Sequence, residues 1–208
     1  MKKYILILFL LFTACAQTNL QTSTQTNTPV LLSIGDSISL GYMNQLSTDL
    51  KKYLVVHPPE NCRNSYYNSV NVKTWLSELR STPHIVIWNT GIWNTLHNYL
   101  DVPIEQQQRT NEQYREELMQ VAETLNATNA KIYFVTTTYI TPNDSIFDAN
   151  KVVELNAIAK DVMNEMNIQV IDIYDFSKTL ESEKIDPVHF TSKGFSELGL
   201  FIERAIKK

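Results

Sequence analysis

The 208-residue sequence has only two cysteines, five glycines and no excess of basic side chains. Two cysteines exclude a tetrahedral Cys-rich metal site and a multi-disulfide framework. With 18 Lys and Arg against 22 Asp and Glu, the formal charge is −4, so no surface built to neutralise phosphates is expected and nucleic acid is set aside as a partner. The four histidines, His57, His84, His97 and His189, show no paired ligand spacing, which leaves no metal site to propose. A long hydrophobic run is also missing. The apolar stretch Tyr4–Phe12 spans nine residues, far short of the roughly 20 that a membrane-crossing helix needs. What is present is a chain 43% apolar and 19% charged, enough to bury one sizeable core and too short for two large domains.

The N-terminus reads as an address. Lys2 and Lys3 precede the apolar run, and Thr13-Ala14-Cys15 follows it. That is the pattern of a secretory signal. Leu11-Phe12-Thr13-Ala14-Cys15 further resembles the bacterial lipobox, in which cleavage falls before the cysteine and the cysteine carries lipid. The resemblance implies a signal peptide over 1–14, lipidation at Cys15 and anchoring to a membrane of the bacterial cell envelope. Residues 15–29 are uncharged and nearly free of large apolar side chains, which suits a flexible tether. The folded domain is expected over 30–208. Cys62 then has no disulfide partner and is expected to be sheltered.

From residue 30 onward, short apolar runs alternate with helical spacing. Val30–Ile34, Tyr53–Val56, His84–Trp88, Ile132–Val135 and Ile168–Ile173 read as buried strands. Tyr114, Leu118, Val121, Ala122 and Leu125 share a helix face, as do Val152, Leu155, Ala159, Val162 and Met166. A last helix starts at Thr191 or Ser192, either of which can cap it. Glu105–Glu117 reads as a solvated helix start. Five strands alternating with helices predict an α/β fold with a parallel sheet covered on both faces. In such sheets ligands bind at the carboxyl ends of the strands.

Two segments at those ends carry chemistry. After the first strand comes Gly35-Asp36-Ser37, a sharp turn that presents a serine at a helix N-terminus, where free N–H groups can stabilise an oxyanion. Before the last helix stands Asp186-Pro187-Val188-His189. Serine needs a general base, usually histidine, oriented by a carboxylate on its other nitrogen. An aspartate three residues before a histidine supplies both groups from one loop.

Together these motifs resemble the SGNH (GDSL-type) hydrolase superfamily, esterases and lipases that work without metal or organic cofactor. The resemblance spans residues 30–208 and implies a flavodoxin-like three-layer α/β/α sandwich with a five-stranded parallel sheet. It implies Ser37 as nucleophile, His189 as general base and acid, and Asp186 as the residue orienting it. The Gly-x-Ser-x-Gly elbow of the α/β-hydrolases would need glycine where Ser39 stands. The family draws oxyanion donors from the nucleophile's own N–H, from a glycine after strand two and from an asparagine after strand three. Here His57–Ser65 contains no glycine, so a backbone N–H near Asn64 or Ser65 is the expected substitute. After strand three, Asn89-Thr90-Gly91-Ile92-Trp93-Asn94 offers Asn89 first and Asn94 second as the side-chain donor.

The expected activity is hydrolysis of carboxylic esters, with short acyl groups on glycans or other small esters as the first substrate class. Lysophospholipid hydrolysis or acyl transfer by the same triad, and a catalytically silent binding lipoprotein, are the rivals. Among the aromatics crowding the motifs (Trp75, Trp88, Trp93, Tyr66, Tyr67, Tyr99), Trp75 and Trp88 are expected in the core. The substrate wall is expected from Trp93 to Pro103.

Overall fold

The computed structural model describes residues 28–96, 109–142 and 144–208. Residues 1–27, with Cys15 and most of the tether, lie outside the described residues, as do His97, Tyr99 and the wall from residue 97 to Pro103. Five strands form one sheet: β1 (Val30–Ile34), β2 (Leu54–Val56), β3 (Ile85–Trp88), β4 (Lys131–Val135) and β5 (Gln169–Ile171). Every pairing is parallel, and the order is β2-β1-β3-β4-β5. This is the flavodoxin-like order. It places a topological switch point between β1 and β3, where loops leaving their carboxyl ends part to opposite faces.

Helices cover both faces, so the fold is a three-layer α/β/α sandwich. Helix α1 (Ser37–Asp49) follows β1, α2 (Ser65–Ser77) follows β2, and α3 (Asn111–Asn126) precedes β4. Helix α4 (Ala149–Glu165) joins β4 to β5, the short α5 (Tyr174–Lys178) follows β5, and α6 (Ser192–Ile206) closes the chain. Leu31, Ile85, Ile87, Tyr133 and Val135 face Tyr42 and Leu46 of α1 and Leu198 and Ile202 of α6. Leu32, Ile34, Val86, Trp88 and Phe134, one residue out of phase, face Val72, Tyr114, Leu118, Leu155 and Val162 of α2, α3 and α4. Burial on both faces is why the central strands read as continuous apolar runs. Trp75 and Trp88 sit in the second core, and the Trp88 indole donates to Asn68 Oδ1 at 2.9 Å.

Strand β5 is shorter than the run Ile168–Ile173 suggests. Thr136 Oγ1 accepts the Ile173 N–H at 2.9 Å, taking that donor away from the ladder, and itself donates to Asp172 Oδ1 at 2.9 Å. At the last helix Thr191, not Ser192, is the cap, its hydroxyl accepting the Gly194 N–H at 3.2 Å. Two glycines set how closely α1 and α6 approach. A Cβ at Gly41 would lie 2.3 Å from the Phe195 ring, and one at Gly199 would lie 2.6 Å from Gln45 Cβ. The described chain enters at Thr28 and Pro29, at the amino end of β1, and leaves β1 at its carboxyl end through Gly35-Asp36-Ser37.

Candidate active site

Ser37 is the first residue of α1, and Asp36 is its cap, with Oδ1 accepting the Ile38 N–H at 3.0 Å. Ser39 Oγ donates to Asp36 O at 2.7 Å and tightens the same turn. The turn needs Gly35, since a Cβ there would meet Ser39 Oγ at 2.6 Å. Ser37 therefore stands half-buried at a helix N-terminus with its own N–H unspent among the described residues, as the first N–H groups of any helix are.

The loop before α6 comes back to the same place. His189 Nε2 lies 2.8 Å from Ser37 Oγ, and His189 Nδ1 lies 2.8 Å from Asp186 Oδ2. Asp186 Oδ1 accepts the backbone N–H groups of Val188 at 2.8 Å and His189 at 2.7 Å. Partial burial pushes the Asp186 carboxyl up, but these two N–H bonds and the His189 ring outweigh it and hold the group below its ordinary value. Lys184 clamps the loop from beneath, donating to Tyr139 O and Pro187 O at 2.8 Å each. Burial lowers the Lys184 ammonium to about 8.

Asp36 is fully buried, and its Oδ2 has no hydrogen-bond partner among the described residues. Burial raises its pKa to about 6, opposed by the Ile38 N–H bond and by the His189 ring.

These residues open on a cavity of about 240 Å³ lined by Ser37, Asn61, Ile92, Trp93, Leu96, Phe147, Val188 and His189. The apolar wall comes from the 3₁₀ turn Ile92–Thr95 and from Leu96, which pairs with Phe147 in an isolated antiparallel bridge. Gly91 begins that turn at φ +156°, and a Cβ on it would stand 2.0 Å from Thr137 Oγ1, so no other residue fits. No group of three or more His, Cys, Asp or Glu side chains able to hold a metal occurs among the described residues.

The expected oxyanion residues are placed differently from one another. Asn89 is buried at the carboxyl end of β3, where its Nδ2 donates to Val135 O at 2.9 Å, and it is not in the cavity lining. Asn94 is buried too. Its Nδ2 donates to Ser65 Oγ at 2.7 Å and its Oδ1 accepts the Ser65 N–H at 3.2 Å. That bond spends the Ser65 backbone donor, while Asn64 Oδ1 caps α2 through the Tyr67 N–H at 2.9 Å. From the glycine-free loop after β2, it is Asn61 that reaches the cavity.

The stretch Glu105–Glu117 reads as a solvated helix start, but Glu117, within α3, is buried, accepting from Ser65 Oγ at 2.6 Å and pairing with Arg109. Arg109 in turn lies over the Tyr66 ring at 5.0 Å. Glu117, Ser65 and Asn94 thus form one buried chain of hydrogen bonds joining α3, the start of α2 and the turn that carries Trp93. A capping box at Thr110 and Gln113 marks the helix start in sequence, but nothing local distinguishes Glu117 from its exposed neighbours. Cys62 is buried, and burial pushes its thiol up to about 12. It is a packing residue.

No protein-family model matches the chain, and no curated protein matches it. Solved structures do. The chain is similar to an acetyl xylan esterase, AlAXEase, at 15% identity and a TM-score of 0.69, over 85% of this chain and 99% of that one. It is similar to Axe2, an acetylxylan esterase from Geobacillus stearothermophilus, at 19% identity and a TM-score of 0.69, over 86% of this chain and 94% of that one. A lipase/acylhydrolase from Enterococcus faecalis aligns at 21% identity and a TM-score of 0.68, over 86% and 95% of the two chains. At these identities the likeness establishes the fold.

Proposed function

We propose that this chain is a serine ester hydrolase of the SGNH (GDSL-type) kind. The observation that carries the reading is the linear array Ser37–His189–Asp186, with both contacts at 2.8 Å, at the mouth of a cavity beside the sheet's switch point. Ser37 Oγ attacks the ester carbonyl while His189 Nε2 takes its proton, and the carbonyl's π pair moves onto its oxygen. Asp186 holds the ring by Nδ1 and stabilises the imidazolium. The Ser37 N–H at the start of α1 donates to the oxyanion. Collapse of the tetrahedral adduct expels the alcohol, which receives the proton from His189. Water then attacks the acyl-serine by the same route and releases the acid.

The substrate class is a short acyl group, acetyl first, on a glycan or another small alcohol. The cavity's volume of about 240 Å³ and its apolar wall suit a short chain, and two of the similar structures are esterases whose names include acetyl xylan. Hydrolysis of p-nitrophenyl acetate, butyrate and palmitate tests this. Ser37→Ala and His189→Ala should each lose at least about a thousandfold in kcat while the protein stays folded. Acetate should be cleaved faster than palmitate. Activity surviving Ser37→Ala would end the reading and favour the binding-protein rival.

The same proposal includes lipid on Cys15, after removal of residues 1–14, and attachment of the domain to a membrane of the bacterial envelope. Its support is the sequence Lys2-Lys3, the apolar run and Leu11–Cys15. Cys15→Ala should move the protein from the membrane fraction to the soluble fraction of the producing cells. A wild type that is soluble and unlipidated by mass spectrometry would sink it.

A further inference from the structure

The carbonyl oxygen that becomes an anion needs more than the single N–H of Ser37, and the structure points to one side chain for it. We infer that Asn61, through its Nδ2 amide, is a catalytic oxyanion donor of this site, in place of a backbone N–H from the glycine-free loop. The inference rests on the hydrolytic reading of Ser37.

Three asparagines are candidates by position, and their amides are engaged differently. Asn89 gives one N–H of Nδ2 to Val135 O, and Asn94 gives one N–H of Nδ2 to Ser65 Oγ. Both are buried, and neither lines the cavity. Asn61 is half-buried, lines the cavity with Ser37 and His189, and uses only its oxygen: Oδ1 accepts the Arg63 N–H at 2.9 Å. That bond fixes which end of the amide is which, because an oxygen must face the N–H. No described residue accepts from Nδ2, so its two N–H groups remain for a ligand.

The backbone holds this residue in register with the nucleophile. The Cys62 N–H donates to Gly35 O at 3.1 Å, so the residue after Asn61 is tied to the residue two before Ser37. Asn68 Nδ2 grips Cys62 O at 2.6 Å from the other side. Arg63, at φ 51°, then turns the chain away into α2. The Cys62, Arg63 and Ser65 N–H groups are spent on Gly35 O, Asn61 Oδ1 and Asn94 Oδ1. Of this loop, Asn61 is the residue that lines the cavity, and it brings a side-chain amide. A donor aimed where charge develops, on a loop that need not reorganise, lowers the barrier without tightening ground-state binding.

The test is p-nitrophenyl acetate kinetics on the wild-type protein, Asn61→Asp and Asn61→Ala, with thermal melts alongside. Asp keeps an oxygen for the Arg63 N–H and so keeps the loop, but puts a carboxylate oxygen where Nδ2 was. Both variants should lose about 100-fold or more in kcat with KM within about threefold. They should also lose affinity for a boronic acid, whose tetrahedral adduct on Ser37 carries the same oxygen, and keep affinity for the product acetate. Either variant retaining wild-type kcat within about threefold would overturn the assignment and leave the hydrolytic reading intact. A wild type with no Ser37-dependent turnover would remove both.

Discussion

Ser37 and the loop bearing His189 stand at the ends of α1 and α6, whose contact is set by glycine, while the facing wall from Asn61 to Leu96 hangs on side-chain hydrogen bonds. In the first half, Gly41 and Gly199 let two helices close over a shared apolar core, and the triad rides on the result. In the second half, short loops leave β2 and β3, and buried polar contacts are added to the apolar burial. Glu117 holds Ser65, Ser65 holds Asn94, and Asn68 holds Cys62. Helix packing fixes positions collectively and tolerates the loss of any one contact. A buried polar chain is all or nothing, since each broken link leaves an unpaired group. The half that would do the chemistry is therefore the robust one, and the half that would hold the substrate and its charge is the fragile one.

Glu117→Ala is the most direct way to break this contrast. It leaves the Ser65 hydroxyl and the Arg109 guanidinium without their carboxylate, at a cost of about 3 kcal/mol in urea unfolding. Because the chain ends at the turn carrying Trp93, kcat/KM on p-nitrophenyl acetate should fall by about tenfold or more even where the variant is fully folded. Ser37 should still react with a small fluorophosphonate. A stability loss with unchanged kcat/KM would show that the two walls are mechanically independent.

A smaller effect sharpens the comparison from the other side. Asp36 belongs to the helical half, yet its buried Oδ2 has no hydrogen-bond partner among the described residues. Folded, it holds its proton up to about pH 6, whereas the group's ordinary value is 3.8. Folding takes up a proton between those values, so its contribution to wild-type stability falls as pH rises through that window. Asparagine keeps the Ile38 cap and does not titrate. Relative to wild type, Asp36→Asn should therefore gain stability between pH 4 and pH 6, on the order of 2 kcal/mol, and level off above. A difference independent of pH would mean that Asp36 is not desolvated in solution.

The same division governs what can be read from the chain. The central strands were legible because two-sided burial writes itself as Val, Ile and Leu runs, and Ser37, Asp186 and His189, which the fold brings into contact, stood out because each sits in a motif a few residues long. What was not legible depends on partners far away in sequence. Ser65 meets Asn94 29 residues on and Glu117 52 residues on. Nothing near Glu117 separates it from the charged residues around it, so it reads as solvated. Asn89 and Asn94 read as donors and Asn61 does not, until one sees which of the three lines the cavity. Strand β5 ends early because Thr136, just past the end of the neighbouring β4, captures an N–H that its own sequence offers to the ladder.

The direction of β1 bears on how the molecule faces its surroundings. The described chain enters at the amino pole of the sheet, and Ser37 emerges at the carboxyl pole. Anything attached ahead of residue 28, whether a resin, a fused domain or the lipid proposed at Cys15, grips the domain from the side opposite its cavity. Immobilising the protein by its amino end should therefore leave its mouth unobstructed.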